Sequence, residues 1–264
     1  MAIDMLRTTF DLLPELRYGA VEKRIRASRD GRPVADTTGA LLVWEPRRIV
    51  PEYAVPEADL LVDLVPTAAA DRPDPLPPVL APGHFGWHTT PGTPLALEDD
   101  PEAREVAFRP DDPVLGERVV LDFAAFDWTE EEEPVMGHPH DPGQRIDCLR
   151  SSRHVVVRLG GTVLADSRRR PVALFETHLP PRWYLPREDV RTDLMSESTT
   201  HTVCAYKGRA SYLSVDVEGG QDVAWTYPDP LHDAEPVRDL VCFWSERCEV
   251  VVDGKRVEGG MPGE

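Results

Sequence analysis

Apolar and polar residues alternate with a period of two along much of this chain, the pattern of strands that bury one face and leave the other in solvent. In RASYLSVDV, Ala210, Tyr212, Ser214 and Asp216 fall on one face and Ser211, Leu213, Val215 and Val217 on the other. HVVVRL, a Gly-Gly pair and TVLAD predict a hairpin whose turn the glycines supply. VAWTY and CEVVVDG predict two further strands, while VRDLVCFW and ERVVLDFAAF fit a helical turn and a strand equally well. The 27 prolines, about twice the average usage of ~5%, argue against long helices. The expected fold is mainly β.

The pattern also occurs twice. DGRPVADTTGALLVWEPRRIVPEYAVPEADL, from Asp30, matches GGTVLADSRRRPVALFETHLPPRWYLPREDV, from Gly160, so that Gly31, Ala35, Asp36, Pro56 and Asp59 fall on Gly161, Ala165, Asp166, Pro186 and Asp189. One inserted residue pairs Glu45 with Glu176 and Tyr53 with Tyr184. AFRPDDPVLGERVVLDFAAF matches AWTYPDPLHDAEPVRDLVCF, placing Asp112, Pro113, Asp122 and Phe126 on Asp229, Pro230, Asp239 and Phe243. Four blocks in one order predict two domains, residues 18–134 and 147–256, the second better preserved. TAAADRPDPLPPVLAPGHFG reads as a loop peculiar to the first copy, EEEEPVMGHPHDPGQ as a solvated acidic turn and linker, and the tail GGMPGE as disordered.

Charge and cysteine content narrow the function classes. A formal charge of −18 repels phosphate backbones, which makes nucleic acid an unsuitable partner. No stretch approaches the ~18 apolar residues of a membrane span, and the first residues carry acids among their apolar positions, so no membrane partner or export signal is expected and the cytoplasm is the expected compartment. Cys148, Cys204, Cys242 and Cys248 form no C-x-x-C pair, which predicts buried free thiols and no zinc knuckle. His138 and His140 are metal-ligand types, but they lie in the linker with no register to converge them. No metal or cofactor is expected.

The second copy resembles a known family through ADSRRRPVALFETHLPPRWYLPREDV, HTVCAYKGRASYLSVD and VAWTYPDP. These blocks resemble the bacterial and fungal domain of unknown function 427, also labelled NTP_transf_9, and the tandem arrangement resembles its two-domain members. The resemblance implies two tandem β-tent-like domains, an architecture shared with methionine sulfoxide reductase B and the thalidomide-binding domain of cereblon, here without the zinc site. A shared fold or label does not fix the chemistry.

Candidate chemistry concentrates in those blocks. Trp225 and Tyr227, two apart on a strand, point to one side, as a wall for a planar or cationic ligand or as plain core. Tyr206 and Tyr212 are candidates for the same lining. Lys207, beside a turn at Gly208, is a candidate anion holder or a solvated turn lysine. Glu176, matched by Glu45, is a candidate general base or a structural acceptor. His178, matched by Arg47, and His201 are candidate acid or base groups or structural histidines. Arg168, Arg169 and Arg170 read as a solvated hairpin shoulder. At the equivalent offsets Tyr206 and Lys207 become Thr90 and Pro91, and Trp225 and Tyr227 become Phe108 and Pro110, which assigns any site to the second domain. No phosphate-binding loop, dinucleotide fingerprint, nucleophile elbow or paired magnesium carboxylates appear. The primary expectation is a domain binding a small planar or anionic molecule; the alternatives are an enzyme on a nucleotide-like substrate, with Glu176 or His178 as acid or base, and a structural or protein-interaction module.

Overall fold

A computed structural model of the protein describes residues 2–3, 5–100, 102 and 104–257; the tail GGMPGE lies outside the described residues. The protein is mainly β, 44% strand against 9% helical. It divides into two compact units, residues 1–141 and 142–264.

The N-terminal unit contains β1 (Arg17–Ala20), β2 (Ile25–Arg29), β3 (Arg32–Thr37), β4 (Leu41–Trp44), β5 (Glu52–Pro56), β6 (Leu64–Pro66), β7 (Gly92–Leu97), β8 (Ala107–Pro110), β9 (Arg118–Leu121), β10 (Asp127–Glu130) and β11 (Glu133–Val135). They form an antiparallel seven-stranded sheet, β1-β4-β5-β9-β8-β7-β6, and a four-stranded sheet, β11-β10-β2-β3. The C-terminal unit contains β12 (Ile146–Arg150), β13 (Val155–Leu159), β14 (Thr162–Ser167), β15 (Val172–Glu176), β16 (Arg182–Leu185), β17 (Met195–Cys204), β18 (Gly208–Val215), β19 (Ala224–Thr226), β20 (Val241–Phe243), β21 (Glu249–Val252) and β22 (Lys255–Arg256). Its sheets run β12-β15-β16-β20-β19-β18-β17 and β14-β13-β21-β22, the same orders strand for strand.

Local chemistry accounts for the hairpins. Asp30-Gly31, Gly160-Gly161 and Asp253-Gly254 all have positive φ, the paired left-handed conformation that a two-residue turn matched to strand twist requires. β2 and β13 each carry a register shift, after Ala27 and Val157. Short 3-10 turns follow β5 and β16, and the repeated Asp59 and Asp189 accept hydrogen bonds there from Thr37 Oγ1 (2.6 Å) and Ser167 Oγ (2.7 Å). This gives the paired aspartates a structural duty. The segments with two readings contain both: Arg118–Leu121 and Val241–Phe243 form β9 and β20, each central in its sheet, while Phe123–Ala125 makes a 3-10 turn and Val237 ends another.

In each unit the main core lies between the two sheets. Ile25, Ala27, Val34 and Trp128 meet Leu42, Tyr53, Leu95 and Leu121 in the first, and Val155, Val157, Leu164 and Val250 meet Trp183, Leu185, Leu213 and Phe243 in the second. The reverse face of each large sheet carries a second cluster, larger and more aromatic in the C-terminal unit.

Strand registers correct three details of the repeat. Ala107 faces Leu121 and Ala224 faces Phe243, so Phe243 matches Leu121 and not Phe126, and Asp239 does not match Asp122. Following the ladders inward, Trp183 matches Tyr53 and Tyr184 matches Ala54. A one-residue slip exchanges the faces of a strand, which is why Tyr53 lies in the inter-sheet core and Tyr184 on the reverse face. The acidic linker is also more ordered than its composition suggests. Glu130 is buried at the end of β10, accepting from Tyr53 Oη and from Lys23 Nζ at 2.5 Å each, and residues 133–135 form the edge strand β11.

At the close of β18, a Cβ on Gly220 would collide with the backbone carbonyls of Val215 and Val217. Gly220→Ala is therefore expected to destabilise the protein by about 1–3 kcal/mol. Urea denaturation followed by circular dichroism checks this, and an unchanged midpoint would contradict it.

Candidate functional site

Glu176 ends β15, next to one edge of the large C-terminal sheet, whereas Lys207 lies in the short link between β17 and β18 at the other edge. Four inter-strand steps separate β15 from β18, about 19 Å across a flat sheet at roughly 4.8 Å per step. Yet Lys207 Nζ donates to Glu176 Oε2 at 2.5 Å. The sheet is therefore curled, and this ion pair ties its two sides together. Both side chains are about nine-tenths removed from solvent. Burial opposes the lysine's charge, but Cys204 and Glu176 outweigh it and hold the ammonium above its ordinary pKa.

The curled face encloses the aromatic candidates. Trp225, Tyr227 and Tyr212 share it with Tyr184, and Tyr206 packs at its margin. Trp225 stacks at a tilt on Trp244 with centroids 4.6 Å apart and donates through Nε1 to Tyr184 Oη at 3.1 Å. Tyr212 Oη shares a 3.1 Å hydrogen bond with Thr202 Oγ1. Trp225 and Tyr227 do project to one side, but they are only 6% and 4% exposed, so their faces are filled by neighbours and present no open wall. Burial also pushes up the Tyr184 and Tyr227 phenols and takes the Cys242 thiol to about 12.

The remaining candidates separate from this cluster. His178 adopts a left-handed turn conformation at φ +67°, as Arg47 does at φ +70°. His201 is on the exposed face of β17, its Nδ1 3.1 Å from Ala210 O. Arg168, Arg169 and Arg170 are exposed between β14 and β15. Cys148 and Cys204 are only half-buried, unlike Cys242 and Cys248; burial takes the Cys148 thiol to about 11, with Lys207 pulling the other way. Among the described residues no group of three or more His, Cys, Asp or Glu side chains is placed to hold a metal.

Residues 147–254 match the family model NTP_transf_9, Domain of unknown function (DUF427). The C-terminal unit belongs to that family. No curated protein matches the chain. The matched residues cover the whole Glu176–Lys207 tie and its aromatic filling, so the cluster is a feature of the DUF427 unit itself.

The N-terminal unit ties its sheet with different chemistry. Leu95 faces Ala107 as Leu213 faces Ala224; counting back from these, His88 stands where the DUF427 unit has Tyr206, and Thr89 where it has Lys207. The pairing with Thr90 and Pro91 is thus displaced by two residues, and it hides a polar cluster. Glu45, the counterpart of Glu176, accepts from Thr89 N (3.0 Å), Thr90 N (3.2 Å) and Thr90 Oγ1 (2.7 Å) through Oε1. Its Oε2 meets His88 Nδ1 at 2.8 Å and Arg48 Nε at 3.3 Å, while His88 Nε2 meets Glu105 Oε1 at 2.6 Å. The imidazole ring stacks on Phe108, centroids 3.6 Å apart. Both ring nitrogens face carboxylates, so the imidazolium donates twice. Burial works against its charge, but Glu105 and Glu45 prevail and raise its pKa; burial likewise works against the Glu45 charge, but His88, Arg48 and Thr90 bring its pKa down to about 2. Nearby Glu52 is pushed up to about 8 by burial and by Asp122. Sequence reading gave His88 no role, since it stands two residues beyond the proline-rich loop that ends at Gly86; the available signal was a histidine followed by Thr-Thr at the entrance to β7.

Two outcomes follow from these clusters. Lys207→Ala strands a buried carboxylate and is expected to destabilise by about 3–5 kcal/mol, whereas the paired apolar exchange Glu176→Leu, Lys207→Met costs far less, because neither charge is left alone. Chemical denaturation of both variants tests this; equal losses would contradict it.

The pH dependence carries two signs. Glu45, with its pKa depressed, adds stability above about pH 4.5 that is lost as pH falls toward about 2. His88 and Glu52, with raised values, add stability at low pH that is lost as pH rises, for Glu52 between about 4.5 and about 8. Glu52→Gln should therefore raise the Tm at pH 8 and change it little at pH 4.5, as read by differential scanning calorimetry. A Tm difference independent of pH would refute the assignment.

Proposed function

We propose that this protein is a small-molecule-binding protein whose DUF427 unit takes an anionic ligand at the rim formed by Lys207, Glu176 and Tyr206. One observation carries the reading: a charged pair is kept almost dry beside the half-buried Cys148, whose thiol burial keeps uncharged. Desolvating such a pair is expensive, and an apolar pair would close the sheet as well or better. Retaining charge there suits a site that must present an ammonium to a ligand. An anion would compete with Glu176 for Lys207. For a planar ligand, the half-buried Tyr206 ring is more accessible than Trp225, Tyr227 or Tyr212, whose faces are filled. The duplicated two-sheet architecture is compatible with a tandem β-tent assignment, with the N-terminal unit as a divergent copy, and that assignment is part of the proposal.

A structural or partner-binding role is the second reading. It is favoured by the packed rings and by Glu45, which performs the same tying duty over a smaller cluster with fewer aromatic rings. Catalysis by Glu176 or His178 has less support, since the carboxylate is engaged by Lys207 and His178 belongs to a left-handed turn.

Thermal-shift screening with metabolites, nucleotides and heteroaromatic bases separates these readings. A compound bound at the rim stabilises the wild type, stabilises Glu176→Gln more, and fails to stabilise Lys207→Ala. Absence of any stabilising compound, or a shift that persists in Lys207→Ala, would favour the second reading.

A further inference from the structure

The N-terminal unit contains a groove of about 780 Å³ lined by Leu13, Pro14, Pro46, Arg47, Arg72, Leu76, Pro78 and Thr89. A smaller lobe continues from it along Arg47 and residues 72–76. The groove exists because of the long connection between β6 and β7, which supplies Arg72, Leu76 and Pro78; in the DUF427 unit only Ala205, Tyr206 and Lys207 join the corresponding strands. Its floor is Thr89, the position equivalent to Lys207.

The two arginines are fixed by backbone and not by acids. Arg47 Nη1 donates to Leu76 O (3.1 Å) and Pro77 O (3.3 Å), and Arg72 Nη1 donates to His88 O (2.5 Å). Among the described residues neither guanidinium has a carboxylate within ion-pair distance, in a chain with 47 acidic and 29 basic residues. Asp74 lines the smaller lobe, which leaves the groove with a surplus of positive charge. A guanidinium has five N–H donors, so each retains donors after its backbone bonds. Two such forks, already oriented, match the tetrahedral acceptor set of a phosphate. The leucines and prolines around them suit an apolar body attached to that phosphate.

We infer that this groove binds a small organic phosphate monoester, its phosphate between Arg47 and Arg72 and its apolar body against Leu13, Pro14, Leu76 and Pro78. The site is separate from the Lys207 rim. Isothermal titration calorimetry of the full chain with phenyl phosphate and with inorganic phosphate tests it. Phenyl phosphate binds saturably and more tightly than inorganic phosphate, and Arg47→Gln, Arg72→Gln weakens it at least tenfold. Arg168→Gln, Arg169→Gln removes the same charge from an exposed turn and leaves the affinity unchanged. No saturable binding, equal weakening by both double variants, or full affinity in Arg47→Gln, Arg72→Gln overturns the inference; the last result would place the anion elsewhere, the Lys207 rim included. Phenylglyoxal labelling of the wild type, mapped by peptide mass, provides a readout that needs no variant to fold. Phenyl phosphate protects Arg47 and Arg72 if the inference holds, and their unaltered labelling refutes it.

Discussion

A glutamate held by a cation across the mouth of a curled sheet is the interaction on which each unit's outer face depends. In the DUF427 unit Glu176 meets Lys207, and in the N-terminal unit Glu45 meets His88 and Arg48. Two sides of a sheet that lie several strands apart come together only if something compensates for desolvating the groups that join them. An ion pair with supporting hydrogen bonds does so, at the expense of tolerating little change in either partner. The rings of Tyr184, Tyr212, Trp225 and Tyr227 then fill the concavity that the tie closes.

The same tie permits different functional surfaces. Where a short link carries the cation, as at Lys207, the mouth is compact and the charged pair sits at its rim. Where the link is long, as between β6 and β7, the tie passes to His88 and the extra chain builds a groove above Thr89. Glu105 completes the pairing of His88 on its far side, so the N-terminal cluster holds its own charges and leaves Arg47 and Arg72 unneutralised by it. The fold is thus kept constant while the chemistry at one end of the sheet changes with the length of one loop.

Much of the architecture could be read from one chain without any relative, because the chain contains its own comparison. The paired turns Asp30-Gly31 and Gly160-Gly161, the paired Asp59 and Asp189, and the paired Glu45 and Glu176 all have matching structural roles. Pairing failed where the loops differ in length. Tyr53 was matched to Tyr184 because identity outweighed a one-residue slip, and Lys207 was matched to Pro91, two residues beyond its register counterpart Thr89, because no identity before β7 anchors the pairing. Only strand register distinguishes these cases, and register belongs to the folded sheet.

By itself the sequence determined the mainly β character and the duplication, because period-two alternation and turn chemistry act over a few residues and leave their mark in any short window. The family resemblance of residues 147–254 was legible for the same reason. The tertiary structure decided which charges meet and which rings are open. Glu176 and Lys207 are 31 residues apart and Glu45 and His88 are 43 apart, and no local pattern records a contact made by curling a sheet. Trp225 and Tyr227 were placed on one face by alternation alone, but whether that face was a wall or a core depended on Tyr184 arriving from β16 and Trp244 from just beyond β20.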